Sequence, residues 1–266
     1  MSKTFLKALP FCLLFVAFAS AQQFDPLAEQ QLVAMINQER ARAGLPALKV
    51  DDRLTQAARA HSVLMTQKKQ LSHQFPGELP LQERLAATHL RFNSDAENVA
   101  YDYSVQQAHE GLMQSPPHRE NILSPKYNTI GIGVVRSGEI IWVTEDFANR
   151  LQEYSVNDAE NAIIAAFERE RRRTHHPTAQ VTRLSELRRM ACAMGKAGRL
   201  DSRAPLKLLN AEATVVYTEA DPTRLPPNAI KMAHDNSVKR FGVGACFAGS
   251  ERYPAGVWWV VVVFFS

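Results

Sequence analysis

Two stretches of this chain repeat in order, and that repeat limits the folds open to it more than any other feature does. QLVAMINQERARAGLP (residues 31–46) lies over AIIAAFERERRRTHHP (162–177) without a gap. Apolar residues match at Leu32/Ile163, Val33/Ile164 and Ile36/Phe167, and the polar end matches at Glu39/Glu170, Arg40/Arg171, Arg42/Arg173 and Pro46/Pro177. With one residue dropped, RLTQAARAHSVL (53–64) meets RLSELRRMACAM (183–194), and further on TIGIGVV (129–135) meets RFGVGAC (240–246). Trp142 and Phe147 then correspond to Trp259 and Phe264. Several similar blocks in the same order are the signature of a duplicated unit.

Each copy reads as helix, helix, a variable stretch, then a strand pair. In the first copy Leu32, Val33 and Ile36 give one helix an apolar stripe, which Gly44 and Pro46 end. Asp51 or Asp52 opens a second helix with Leu54, Ala57, Ala58, His61, Leu64 and Met65 on one face. Residues 130–136 and 139–147 read as strands joined at Ser137-Gly138, a hairpin signal. The variable stretch runs from 65 to 129 in the first copy but only from 195 to 239 in the second. The longer version holds His73, Glu97 and the Ser-Pro-Pro-His turn. Packing needs are common to both copies, so polar residues confined to the first point to function.

The N-terminus, MSKTFLKALPFCLLFVAFASAQQ, has a basic start, a short apolar run and the small residues Ala19-Ser20-Ala21. It reads as a signal peptide over residues 1–21, and the run is too short to span a bilayer. A protein secreted to the periplasm or the medium is expected. Cys12 would leave with the signal and is not placed to carry a lipid anchor. Cys192 and Cys246 then form an even pair in an oxidising compartment, which favours a disulfide over two buried thiols. The apolar end VWWVVVVFFS is about one strand long and reads as a buried strand, not a membrane span.

The net charge of +4 is uneven. Residues 22–149 carry 12 Lys and Arg against 15 Asp and Glu, whereas residues 150–266 carry 17 against 12. Much of the second excess lies in ERERRR (168–173), which reads either as a solvated helix face or as a patch for an acidic envelope surface. Nucleic acid is not an expected partner.

The blocks MINQERARAGLPAL, LSHQF, QERLAA, AENVAYDY, LMQSPPHRENIL and YNTIGIGVV…IIWVTEDFA resemble the bacterial branch of the CAP superfamily, the secreted domains related to cysteine-rich secretory proteins, antigen 5 and pathogenesis-related proteins. The likeness runs from about Leu27 to Ala148; over 157–266 it rests on the repeat. It implies an α+β fold, an α-β-α sandwich with a small antiparallel sheet, in two tandem copies of which the second is degenerate. The divisions expected are a signal over 1–21, a cleft-bearing domain over 22–150, a linker over 151–156 and the degenerate copy over 157–266.

In that family the cleft holds two histidines and two acidic residues able to bind zinc or another divalent ion. Carried over by position, they are His73, Glu97 (after Ala96, where glycine is usual) and His118. The fourth acidic position falls at Ser115, which is no carboxylate. His73 and His118 are the candidate metal ligands. Ser115 is placed to cap a helix that Pro116 begins, which would aim His118 from its first turn. A hydrogen-bonded structural role is the rival reading for His118. Glu97 would orient a histidine, act as a base, or bind backbone amides.

Other motifs fall away. His109-Glu110 begins H-E-x-x-H, but Met113 stands where the second histidine belongs. His61, on an apolar helix face, reads as a satisfied core histidine. G-x-S-x-G, the P-loop and C-x-x-C are all lacking. The reading favoured is a secreted binding module whose cleft takes a lipid, peptide or envelope component, with a hydrolase using His73, Glu97 and His118, or an inhibitory partner acting through the basic second copy, as alternatives.

Overall fold

A computed structural model describes residues 23–265. The segment read as a signal peptide, with Cys12, lies outside the described residues. In the first half, β1 (Gln23–Phe24), β4 (Thr129–Ser137), β5 (Ile140–Arg150) and β3 (Phe92–Asp102) lie side by side in that order, and β2 (Lys49–Val50) pairs parallel to β4. The hairpin expected at Ser137-Gly138 turns there, with Gly138 at φ 63°, and β5 runs on to Arg150 because β3 pairs with its end. Helices α1 (Pro26–Arg42), α4 (Val105–Gln114) and α5 (Pro116–Ile122) bury Leu32, Ile36, Ala108, Leu112 and Ile122 against one face of the sheet. Helix α2 (Asp52–Lys68) crosses the other face, and its N-cap is Asp51, which accepts from Arg53 N. Helix α3 (Leu81–Ala86) lies beside α2 and packs through Leu85 against Leu54, Leu90 and Phe92.

The second half contains α6 (Val156–Arg173), β6 (Gln180–Val181), α7 (Ser185–Ala197), α8 (Arg203–Leu209), β7 (Ala213–Glu219), α9 (Pro227–Ala233), β8 (Arg240–Ser250) and β9 (Tyr253–Phe265). Its sheet runs β6-β8-β9-β7, with β6 parallel to β8. The β2-β4-β5-β3 pairing of the first half runs in the same sense. Helix α7 covers one face, and α6 with α9 covers the other. The apolar C-terminal run is a buried strand, as its length suggests. Cys192 and Cys246 are joined by a disulfide that ties α7 to β8 across 54 residues of sequence; in the chain-entropy view such a loop closure contributes roughly 2–4 kcal/mol.

Matching side chains do matching work in the two halves. Arg40, fully buried, donates from Nε to Pro46 O (2.9 Å), from Nη1 to Ile122 O and Ser124 O (both 2.8 Å), and from Nη2 to Tyr127 O (3.4 Å). Arg171 donates in the same pattern to Pro177 O, Ala233 O, Asp235 O and Val238 O. Glu29 accepts from Arg59 and from Val134 N; Glu160 accepts from Arg188 and from Ala245 N. The run 168–173 is therefore not the solvated face its charge suggested. Arg169, Arg172 and Arg173 are exposed, but Arg171 turns inward because the carbonyls at the helix end need a donor, and Glu168 turns inward to take Ala179 N.

The halves touch. Arg91, just before β3, stands 4.0 Å over the Phe247 ring and donates to Tyr154 O. Ala255, near the start of β9, packs on the cluster formed by Leu54, Leu85, Leu90 and Phe92. Among the described residues, no helix is long and apolar enough to cross a membrane.

Candidate binding site

The site lies along β3, the edge strand of the first sheet, where a loop and two helices converge. Helix α2 anchors the loop: His61, wholly buried, meets Ser72 O at Nε2 (2.8 Å) and Glu78 Oε1 at Nδ1 (2.7 Å). Both ring nitrogens face acceptor oxygens. His61 is thus a partnered buried histidine, and the partnership shapes the loop. Glu78 closes the turn by accepting Phe75 N on its other oxygen.

That loop presents His73, whose side chain is 58% exposed. Its Nδ1 meets Glu97 Oε1 at 2.9 Å. The carboxyl of Glu97, 2% exposed, takes Arg84 Nη2 on its other oxygen at 2.7 Å, and His61 Nε2 is 4.0 Å from that oxygen. The hydrogen bond to Glu97 raises the His73 pKa above its ordinary value, against the opposing effect of burial. Burial pushes Glu97 up, but His73, Arg84 and His61 together hold it below the usual carboxylate range.

His118 comes from the other side. Pro116 and Pro117 open α5 with His118 following, as the sequence suggests, but the Ser115 hydroxyl does not cap the helix. The second proline removes one of the two first-turn N–H groups that a cap oxygen can take, leaving only that of His118. Asn98 holds this turn, donating to His118 O (3.1 Å), and Asn121 donates to Asn98 Oδ1 (2.9 Å). The half-buried His118 imidazole makes no hydrogen bond to another described residue. Burial lowers its pKa, and the nearby charge of His73 lowers it further.

The structure thus brings His73, Glu97 and His118 to one edge. Ser115 stands at the start of α5 with no polar contact to them. Sequence reasoning missed Glu78 and Arg84, which hold the loop and the carboxylate. It also missed two acids in the middle of β5. Glu145 and Asp146 are completely buried. Aligning Trp142 with Trp259 and Phe147 with Phe264 sets them against Val262 and Val263. Charged residues where the matching strand has valine were a signal in the sequence itself.

Glu145 accepts from Asn98 Nδ2 at 3.0 Å, and its other oxygen has no partner. Burial pushes its pKa up to about 7. In the unfolded chain this group ionises near 4.5, so the folded state binds the extra proton between those values. Stability from this source is full below about pH 4.5 and falls as pH rises through about 7, by about 3 kcal/mol in all. Glu145→Gln is expected to remove that decline, so denaturant unfolding at pH 5 and pH 8 should differ less in the variant than in the parent. An equal difference in both would mean that Glu145 is ionised in the fold.

Family chemistry would place a divalent ion between the two histidines. The donor set present does not fit one. Glu97 has both oxygens engaged, one of them by the cation Arg84, and among the described residues no group of three or more His, Cys, Asp or Glu side chains could hold an ion.

An α-β-α layered fold with a histidine and carboxylate edge is the class of protein defined so far. Residues 33–147 match the family described as CAP, cysteine-rich secretory protein family. The chain is 32% identical over 123 residues to the Bacillus subtilis (strain 168) "Uncharacterized protein YkwD", covering 46% of this chain and 47% of that protein. A solved extracellular protein containing an SCP domain from Bacillus anthracis str. Ames is similar at 27% identity and a TM-score of 0.43, over 47% of this chain and 41% of that one. The structure titled Na-ASP-1 aligns with 93% of this chain and 91% of its own, at 9% identity and a TM-score of 0.49. The chain spans about half the length of the curated relatives it matches.

Proposed function

We propose that the protein is a secreted binding module whose cleft, between the His73 loop and α5, takes a ligand through a hydrogen-bond acceptor such as a carboxylate or phosphate. A lipid, a peptide end or an envelope component carries such a group. The observation behind this reading is the His73–Glu97–Arg84 chain. With Nδ1 turned to Glu97, an exposed imidazolium offers its Nε2–H outward, and its partner is a carboxylate, not a hydroxyl or thiol nucleophile. Four residues beyond Glu97 on the same strand face, Tyr101 is 53% exposed and rests on Trp142 at 5.2 Å, an apolar shelf for the rest of an amphipathic ligand. Secretion accords with the disulfide and with the N-terminal sequence.

The second half, from residue 157 after a linker at 151–156, is on this reading a degenerate CAP-like copy. Its support is the matched sheet order, the paired carbonyl cages of Arg40 and Arg171, and the paired clasps of Glu29 and Glu160. The copy keeps the scaffold, lacks the histidine edge, and has exposed Arg169 and Arg172 for an acidic surface.

The test is a titration of the histidine-labelled full chain, followed by NMR, with lysophosphatidylglycerol and separately with a short peptide bearing a free carboxylate. One of these is expected to shift His73 and His118 together and saturably, and to lose affinity at least tenfold in a folded His73→Ala variant, the loss of a charge-assisted hydrogen bond. Neither probe moving either ring, or undiminished binding to the variant, would overturn the reading.

A further inference from the structure

A long strand at the edge of a sheet offers a row of backbone donors and acceptors to any chain that can pair with it. Folded proteins blunt such edges by shortness, charge, bulges or cover. The first sheet uses all four. Strands β1 and β2 have two residues each. Strand β3, eleven residues long, carries Asp95 and Glu97, shifts register between Phe92 and Asp95, and has α4 and α5 packed against it. Its carbonyls at Asp95 and Glu97 accept from Tyr127 Oη (3.2 Å) and Asn121 Nδ2 (3.5 Å).

The second sheet is guarded on one side only. Strand β6 is two residues long, but β7, at the other end of the order β6-β8-β9-β7, runs for seven residues, ATVVYTE. Residues 213–218 include no charge and no proline, and their pairing with β9 keeps one register throughout. Among the described residues, no side chain and no backbone group outside β9 bonds to the β7 main chain. The repeat explains why. Strand β3 is followed by α4 and then α5, whereas β7 leads through residues 220–226 straight to α9. Helix α9 answers to α5, since Ala233 O and Ile122 O accept the two caged arginines. Among the described residues α4 has no counterpart in the second half, and α4 is part of the cover on β3.

We propose that β7 pairs antiparallel with β7 of a second copy of this chain, about a twofold axis at Val216, joining the two four-stranded sheets into one. The strand is self-complementary about that residue. Pairing there sets Thr214 opposite the partner's Thr218, Val215 opposite the partner's Tyr217, and Ala213 opposite the partner's Glu219. Ala213, Val215 and Tyr217 belong to the face packed by α6 and α9, and Val216 to the face packed by α7; alternation puts Thr214 and Thr218 with Val216. A twofold axis normal to the sheet keeps each face on its own side, so apolar meets apolar and threonine meets threonine, both favoured across strands. Like charges stay out of register. The backbone edge alone would accept any extended peptide; the symmetry of the side chains about Val216 selects a second copy. On the reading of the cleft given above, one dimer carries two histidine edges and grips a surface that displays its ligand at two points. The pairing itself needs no ligand.

The test is sedimentation equilibrium of the full chain over a concentration series. Beside it run Thr214→Lys/Thr218→Lys, which sets lysine opposite lysine twice, and Thr214→Glu/Thr218→Glu, each checked for folding by circular dichroism. The parent's average mass is expected to double through the micromolar range, as suits a contact of one strand pair. Each variant should stay a single chain, and an equimolar mixture of the two should associate again, because opposite charges then face each other. That mixture separates lost pairing from lost folding. Amide exchange in the parent gives a second reading that needs no variant: β7 amides should gain protection as concentration rises. A parent of single-chain mass up to about 0.5 mM, a dimer undiminished in both variants, or β7 exchange indifferent to concentration would overturn the proposal.

Discussion

Arg40→Ala is expected to lower the unfolding free energy by about 3–5 kcal/mol, the scale of several charge-assisted hydrogen bonds lost with their acceptors left buried. The guanidinium ties the end of α1 to carbonyls of Pro46, in the loop after α1, of Ile122, the last residue of α5, and of Ser124 and Tyr127, in the loop after α5. Among the described residues no carboxylate pairs with it; carbonyl dipoles stabilise the charge. Lysine cannot rescue it, since an ammonium lacks the planar fork that reaches acceptors on three sides. Urea unfolding of Arg40→Ala and Arg40→Lys would measure both losses. Because the cage closes the far end of α5, the His118 resonance should broaden or shift as well. A loss below about 1 kcal/mol would mean that water replaces the guanidinium at those carbonyls.

Gly133→Ala is expected to be at least as damaging, at about 4 kcal/mol or more, for a different reason. A methyl group built there would stand 2.3 Å from Ala58 C and Arg59 N, which are backbone atoms of α2. No rotamer change can relieve that contact, so the helix must lift from the sheet. Lifting it breaks the bond from Ser62 Oγ to Gly133 O (2.9 Å) and carries His61, the anchor of the His73 loop, away with it. Thermal unfolding by circular dichroism should show the midpoint falling by more than about 8 °C, given the few degrees per kcal/mol usual for a chain of this size. Gly244 meets Leu187 C at 2.2 Å in the second half, and alanine there should act alike.

These two residues also show what the sequence disclosed and what it withheld. The G-x-G strands were legible as repeats because close helix-on-strand packing leaves the same mark in both halves. Arg40 and Arg171 were legible as matched positions, but the charge of the run that holds Arg171 suggested solvent. Only the three-dimensional path of the α5–β4 loop shows the carbonyls that draw the guanidinium inward. His73, Glu97 and His118 could be picked out because the matching blocks of the second half lack them. Arg84 and Glu78 could not, because an ion pair between a short helix and a loop has no spacing to betray it. The edge strand β3 was hidden for a related reason. Its alternation is broken by the buried polar pair Glu97 and Asn98, which face opposite sides and answer to Asp146 and Glu145 on β5.

The contact between the halves has a mechanical consequence. Arg84 rides on a helix of six residues that has no side-chain cap. Such a helix is too short to hold its shape alone, and the opening of β9 leans on the apolar cluster to which its Leu85 belongs. The C-terminal half therefore works as a splint for the arginine that grips Glu97. A change at Phe247 or Ala255, remote from the histidines in sequence, would reach them as slack in that grip.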